Sequence, residues 1–311
     1  MTGRTPSVAI VVLTYQRPGD LAQILPALMS QARTLDPPAA VMVVDNDPAG
    51  SAERIVRACA TEGVDVTYVH EPEPGIAAAR NRALTECTRD LLVFIDDDER
   101  PTVGWLRRLV DVYLRDRPAG VVGPVAPEPV HEPEPWILAG DFFERERRAT
   151  YTEVTTAATN NLLLDVAQVR ELGLTFDRRF GLSGGSDTLF TRQLASLGGR
   201  IVWCDDAVVT EVIPASRLTR DWVLRRAYRS GNSDSRTTVE LARGGRRRLL
   251  ARLRMVGRGL LRLVGGGVRW LLGVLTGSLR RRVRGRRTIM RGAGMIAGAW
   301  GSVYHEYARK S

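Results

Sequence analysis

Three short apolar runs in the N-terminal third of the chain each stop at an oxygen-bearing side chain. Val8–Leu13 runs into Thr14, Val41–Val44 into Asp45, and Leu91–Ile95 into Asp96, Asp97 and Asp98. Unbroken, largely β-branched runs of this length read as strands buried on both faces. Between them the apolar spacing becomes helical. Leu21–Gln31 carries Leu21, Ile24, Leu25 and Leu28, Ser51–Glu62 opens on a capping serine, and Gly75–Thr88 is rich in Ala and Arg. Val64–Val69 and Gly120–Val125 read as further strands, and Trp105–Arg115 as a helix. This alternation predicts an α/β fold with a parallel sheet covered on both faces. In such a sheet ligands sit beyond the carboxyl ends of the strands, where Thr14, Asp45 and Asp96 stand.

Residues 124–135, PVAPEPVHEPEP, read as an irregular loop between two halves. Beyond it, Thr159–Leu164 and Arg200–Trp203 read as strands. Asp187–Leu197 reads as a helix after the glycine-rich Gly181–Gly185, and Trp222–Ser230 begins another. The chain has 311 residues, 44% apolar and 26% charged, which excludes wholesale disorder, collagen and coiled coil. Cys59, Cys87 and Cys204 are too few and scattered for a disulfide scaffold or a zinc knuckle, and a reducing cytosol suits them. The first apolar run is short and no small-residue cleavage site follows it, so it reads as a strand and not as a signal peptide.

Several residue groups can carry chemistry. Along a strand, Asp96 and Asp98 point the same way and can converge on one hard cation, with Asp97 facing elsewhere. The alternative is an acidic turn, but three carboxylates behind a buried strand repel one another without a cation. Asp45 can accept from a base or ribose hydroxyl, or can close an Asx turn; the sequence leaves both open. Gly75 to Asn81 offers a helix start of small residues with Arg80 one turn in. Asp187 is either an N-cap or a general base aimed by the loop before it. Arg225, Arg226 and Arg229 lie on one helix, either gripping a diphosphate or forming a solvated face. His70, His131 and His305 have no metal-ligand spacing. No G-x-G-x-x-G follows the first strand and there is no P-loop.

In order along the chain, Thr14-Tyr15-Gln16-Arg17, Val44-Asp45-Asn46, Gly75 to Asn81, Asp96 to Asp98, Asn160-Asn161, Phe180 to Asp187 and Arg225 to Ser233 resemble the family 2 glycosyltransferases. These are inverting enzymes of GT-A fold that use nucleotide-sugar donors. The later segments look most like bacterial exopolysaccharide glucosyltransferases of the succinoglycan type. The resemblance implies a GT-A domain over residues 1–243, a Rossmann-like nucleotide-sugar-binding sheet flanked by helices. It implies that Thr14, Tyr15, Arg17, Asp45 and Arg80 hold the nucleotide sugar. Asp96 and Asp98 would carry Mn²⁺ or Mg²⁺ on the diphosphate, Arg226 and Arg229 would stabilise the leaving nucleoside diphosphate, and Asp187 would deprotonate the acceptor. Asn161, Gly185 and Ser186 would lie on the acceptor side. Two positions depart from the family pattern: Ser186 stands where a Glu is usual, and Thr210 where many relatives carry a His.

Residues 244–311 hold sixteen arginines, one lysine and one glutamate, a formal +16, so the rest of this +10 chain is at −6. In a helix, Arg254, Arg258, Arg262, Arg269 and Arg280 share one arc, with leucine, valine and tryptophan over the remainder. The longest uncharged stretches are too short to span a bilayer. The tail therefore reads as an amphipathic segment lying on anionic lipid, not as a nucleic-acid binder. Seven glycines between Gly257 and Gly277 suggest that it orders only on the membrane. The expected enzyme is a metal-dependent transferase at the cytoplasmic membrane face, acting on a glycan or polyprenyl-linked acceptor. The competing readings are a scaffold that has lost its chemistry, and a nucleotidyltransferase.

Overall fold

The computed structural model describes residues 5–59 and 63–304. It divides into two compact units: Met1–Ala126, Arg145–Leu182 and Ser186–Glu211 in the first, and Pro127–Glu144, Ser183–Gly185 and Val212–Ser311 in the second. The strands are β1 (Val8–Thr14), β2 (Ala40–Asp45), β3 (Val66–His70), β4 (Leu91–Asp96), β5 (Glu99–Pro101), β6 (Gly120–Val122), β7 (Val125–Pro129), β8 (Glu153–Val154), β9 (Asn161–Asp165), β10 (Ile201–Trp203) and β11 (Val209–Ile213). The helices are α1 (Pro18–Ala32), α2 (Glu53–Cys59), α3 (Ile76–Glu86), α4 (Trp105–Asp116), α5 (Pro135–Ala139), α6 (Val166–Glu171), α7 (Ser186–Ser196), α8 (Arg220–Leu241), α9 (Gly245–Leu275) and α10 (Leu279–Ala299).

In the first unit the strand order is β3-β2-β1-β4-β9-β6-β10-β8. The four strands read from the apolar runs, β3 to β4, are parallel. β9 enters antiparallel to both β4 and β6, and β8 antiparallel to β10, so the sheet is mixed and not parallel throughout. Direction was invisible in the sequence because β9 is as continuously apolar as its parallel neighbours. Both faces are covered, as expected. One core gathers Ile10, Val12, Leu25, Leu28 and Trp105, and the other gathers Val11, Phe94, Phe176 and Phe190. β1 and β4 are buried end to end apart from Asp96, which explains why neither alternates polar and apolar residues.

The proline-rich segment is not the irregular loop that its composition suggests. Val125–Pro129 is a strand, at the edge of a small sheet ordered β5-β11-β7, and Pro135 starts α5. An edge strand leaves one row of N–H groups unpaired, so it tolerates prolines that a central strand would not. Pro135 sits at the first helical position, where its missing N–H costs nothing.

The second unit also departs from expectation. The division does not fall at residue 243, because α8 belongs with the tail helices. α10 packs along both α9 and α8. Glycine makes this close packing possible. A Cβ on Gly266 would lie 2.9 Å from the Gly285 carbonyl oxygen, and one on Gly292 would lie 2.7 Å from that of Gly259. Gly259, Gly266 and Gly273 recur every seventh residue along the buried side of α9. On α10, Gly294 and Gly298 approach the backbone of α8 at Tyr228 and Asn232. Three of the seven glycines that argued against an ordered tail, Gly259, Gly266 and Gly273, thus face α10, and Gly294 and Gly298 of α10 face α8, so that the helix backbones meet as small residues allow in tightly packed helix pairs. A third contact fixes α10 to the loop after α5: Arg284 pairs with Asp141, and Arg287 donates to the Gly140 and Asp141 carbonyls at 2.9 and 2.8 Å.

Candidate active site

β1, β2 and β4 lie side by side, and their carboxyl ends fall level. Thr14 pairs in register with Asp45, and Leu13 with Asp96. β4 ends at Asp96 and the chain turns through Asp97 and Asp98, so strand alternation stops there. The expectation that Asp97 faces away from its two neighbours is therefore corrected. Asp97 accepts from Thr14 Oγ1 at 2.9 Å and from Arg17 at 2.9 Å, and the same Arg17 nitrogen reaches Asp98 at 3.0 Å. Arg17 thus clamps the acidic turn. Burial works against its charge, and the two carboxylates outweigh that. Asp97 is buried, which raises its pKa against the opposing pull of Arg17 and Thr14.

Asp96, half-buried at the strand end, is under strong electrostatic demand. Burial, then the Asp98 charge, push its pKa up to about 7, with Arg80 pulling the other way and Asp97 and Glu211 adding to the rise. Glu99 is fully buried, and burial followed by the charge of Asp96 raises it well above its ordinary value. Its Oε2 accepts from the Asp96 backbone N–H at 3.1 Å and its Oε1 from Asn160 Nδ2 at 2.6 Å. Across the small sheet Glu211 stands opposite Glu99, while Thr210 stands opposite Arg100. Glu211 is ion-paired to Arg145. Carboxylates this dense and this buried need protons or a cation. No group of three or more His, Cys, Asp or Glu among the described residues forms a metal cage by itself. The donor set therefore fits a divalent ion held by one or two carboxylates, Asp96 and Asp98, and completed by substrate oxygens.

Around β2 the structure shows the Asx turn that the sequence offered as one reading of Asp45. Asp45 is fully buried, and its carboxylate accepts from Asp47 N at 2.9 Å, Ala52 N at 2.8 Å and the Tyr68 hydroxyl at 3.2 Å. It closes the Asx turn and shapes the loop. Burial, then the Asp45 charge, push the Tyr68 hydroxyl up to about 12. Asn46, quoted in the sequence motif but given no role there, bridges this loop to α3. It donates to the Glu71 and Glu73 carbonyls at 2.8 and 2.7 Å and accepts from Gly75 N at 3.0 Å. Gly75 has φ +118°, and a Cβ there would press on the Gly181 backbone at 3.3 Å, so glycine is required. Tyr15 is half-buried.

Arg80 is 6% exposed and donates to Ser186 Oγ at 2.6 Å; its guanidinium lies 5.5 Å from the Phe176 ring centre and its Nε is buried without a partner. Ser186 is fully buried. Its hydroxyl is turned onto Arg80. Asn161 is likewise engaged within the fold. It is fully buried, accepts from Trp105 Nε1 at 2.8 Å, and donates to the Pro124 and Ala207 carbonyls at 2.9 and 2.7 Å. Both amide hydrogens of Asn161 are used within the fold, and its neighbour Asn160 holds Glu99. Asp187 sits half-exposed in the first turn of α7, with Oδ1 accepting from Thr188 N at 2.6 Å.

The remaining residues singled out in the sequence belong to the second unit, described by itself. Gly185 has φ +91° and lies against Ser233 and Thr237 of α8. On α8, Arg225 pairs with Asp221 one turn earlier, and the Arg226 guanidinium lies 5.5 Å from both the Phe143 and Trp222 ring centres. Arg229 follows one turn after Arg225. His70 places Nε2 2.9 Å from the Asp47 carbonyl, His131 is exposed, and His305 lies outside the described residues.

Comparison with known proteins agrees with this geometry. Residues 9–173, more than half of the chain, match the model of glycosyl transferase family 2. The chain is 35% identical over 245 residues to the succinoglycan biosynthesis protein ExoM of Rhizobium meliloti, covering 78% of this chain and 79% of that protein. Among solved structures it resembles the mannosyltransferase PcManGT of Pyrobaculum calidifontis in complex with GDP-Man and Mn²⁺. There the TM-score is 0.63 at 17% identity, over 96% of this chain and 88% of that one. It also resembles GalNAc-T7 with UDP, GalNAc and Mn²⁺, with a TM-score of 0.55 at 12% identity over 74% of this chain and 51% of that one. The mixed sheet flanked by helices is the GT-A fold, and the chain belongs to glycosyltransferase family 2, of the exopolysaccharide type.

Proposed function

We propose that this protein is an inverting glycosyltransferase that moves a sugar from a nucleotide-sugar donor, UDP-linked in our reading, to a hydroxyl of a glycan or polyprenyl-linked acceptor. The observation that carries the proposal is Asp96, a carboxyl at the end of a central strand whose pKa is lifted to about 7 by burial and its acidic neighbours. Such a group calls for a countercharge. Asp96 and Asp98 would hold a Mn²⁺ or Mg²⁺ ion, which supplies positive charge to the donor diphosphate when bound. The relatives' structures contain Mn²⁺, which supports this choice.

The chain's own residues do the rest. Thr14 and Arg17 hold Asp97 and Asp98, so the acidic turn that follows Asp96 is set before the donor arrives. Tyr15 lies at the carboxyl end of β1, and Asp45 and Asn46 shape the loop on which the nucleoside would rest. Arg80, with one hydrogen bond and a buried unpaired Nε, keeps donor capacity for an anionic or carbonyl oxygen. Arg226 and Arg229 would neutralise the departing nucleoside diphosphate. Asp187 takes the acceptor proton. The acceptor oxygen then bonds to the anomeric carbon as the carbon–phosphate-oxygen bond breaks on the opposite side, inverting configuration. The basic helices of the second unit would rest on anionic lipid at the cytoplasmic membrane face. No helix among the described residues is long and apolar enough to cross a membrane. The direct test is nucleoside-diphosphate release from a panel of UDP-, GDP- and dTDP-sugars with a lipid extract, with Mn²⁺ and with EDTA. One donor should be turned over, and EDTA should stop it; metal-independent release would overturn the metal role.

A further inference from the structure

A cavity of about 520 Å³ in the second unit lies where the ends of four helices meet. Its lining combines two chemistries. Trp136 at the start of α5, Trp270 and Val274 near the end of α9, and Leu279 at the start of α10 supply apolar surface. Arg282 and Arg286, one and two turns into α10, supply charge. A third arginine, Arg220, also lines the cavity but is spent: it holds both oxygens of Glu134 at 2.8 Å. The side chains of Arg282 and Arg286 are exposed and make no hydrogen bond or ion pair among the described residues. Both sit near the N-terminus of a long helix, whose dipole adds to their positive field. Leu271 and Leu275, next in sequence to Trp270 and Val274, are 52% and 73% exposed.

We infer that this cavity binds the head of a phosphate-bearing lipid, with the phosphate on Arg282 and Arg286 and the first part of the chain against Trp270, Val274 and Leu279. Two unpaired guanidiniums spaced four residues apart suit the oxygens of one phosphate. The volume suits a single small ligand rather than a polymer. A hydrophilic anion would leave the tryptophan and leucine surface without a partner, and a neutral lipid would leave the charge unmet. The inference deepens the membrane reading above. It requires no donor turnover, so failure of the transferase reading leaves it standing.

The test uses the full chain and a water-soluble prenyl monophosphate, followed by tryptophan fluorescence or calorimetry. Inorganic phosphate and the matching prenyl alcohol serve as comparisons. The prenyl phosphate should bind, with each comparison weaker by about tenfold or more. Arg282→Gln with Arg286→Gln should cost about tenfold or more, whereas Arg254→Gln with Arg258→Gln, an equal charge change on α9 outside the cavity, should cost less than about twofold. Thermal unfolding of each variant shows that the fold is kept. Equal losses in the two double variants would mean diffuse attraction and would overturn the site. Inorganic phosphate binding as tightly as the prenyl compound would overturn it as well. Vesicles doped with prenyl phosphate or with phosphatidic acid then distinguish the source. Stronger binding to the prenyl vesicles, dependent on Arg282 and Arg286, identifies an isoprenoid. Equal, similarly dependent binding identifies a phospholipid head. Binding to both that ignores the two arginines contradicts the inference.

Discussion

At the scale of single residues, the site is an acidic turn held in place before any ligand arrives. Asp96 has a folded pKa of about 7 against an ordinary 3.8. The folded protein therefore retains a proton that the unfolded chain gives up. Stability from this group is complete below the ordinary value and is lost as the pH rises through about 7. In EDTA, the thermal midpoint should fall from about pH 5 to about pH 8 more steeply in the native protein than in Asp96→Asn, and Mn²⁺ should restore it at the upper end. Parallel curves would show that Asp96 carries no such proton. Ser186→Ala removes a hydrogen bond from a buried guanidinium and should cost about 1.5–3 kcal/mol in denaturant unfolding. The places of the acidic turn, Arg80 and Asp187 at or near strand and helix ends were legible in the sequence, and their chemical roles rest on the proposal above. Asn46 and Glu99 were not: their roles come from hydrogen bonds to distant backbone, which leave no mark in local spacing. The anchoring of Trp105 by Asn161 was hidden for the same reason, since an asparagine that holds a tryptophan looks no different in sequence from one that meets a ligand.

At the scale of elements, the parallel strands and their helices were readable from period and run length. The strand through Val125–Pro129 was not, because edge placement and not composition decides whether prolines fit. The glycines of α9 and α10 show the same limit. By propensity each weakens a helix; by position some of them are the contact surface. Gly294→Ala and Gly257→Ala separate the two effects. A methyl at Gly294 would collide with the Tyr228 carbonyl oxygen, whereas Gly257 faces open space. The first should destabilise the protein by about 1–3 kcal/mol, and the second should stabilise it by up to about 1 kcal/mol. Equal effects in chemical denaturation would mean that α10 does not pack on α8 as described.

At the scale of the whole molecule, the charge split between an acidic N-terminal part and a +16 tail was visible in composition, but the structural boundary was not. Removing residues 244–311 would strip α9 and α10 from α8 and expose Gly231, Asn232 and Ser235, which are buried in the full chain. The truncated protein should therefore lose solubility or helical content in circular dichroism, not simply shed a membrane anchor. A truncated form with unchanged melting behaviour would restore the simpler picture of an appended tail.

The account rests on Asp187 as the base of a sugar-transfer site organised around Asp96. The most direct test measures donor binding and sugar transfer in parallel for the native protein and Asp187→Asn. Transfer should fall by about 10²–10⁴-fold, with donor affinity within about threefold of native, less than about 1 kcal/mol. Transfer that survives the substitution, or donor binding lost together with it, would contradict the assignment of Asp187 as the base.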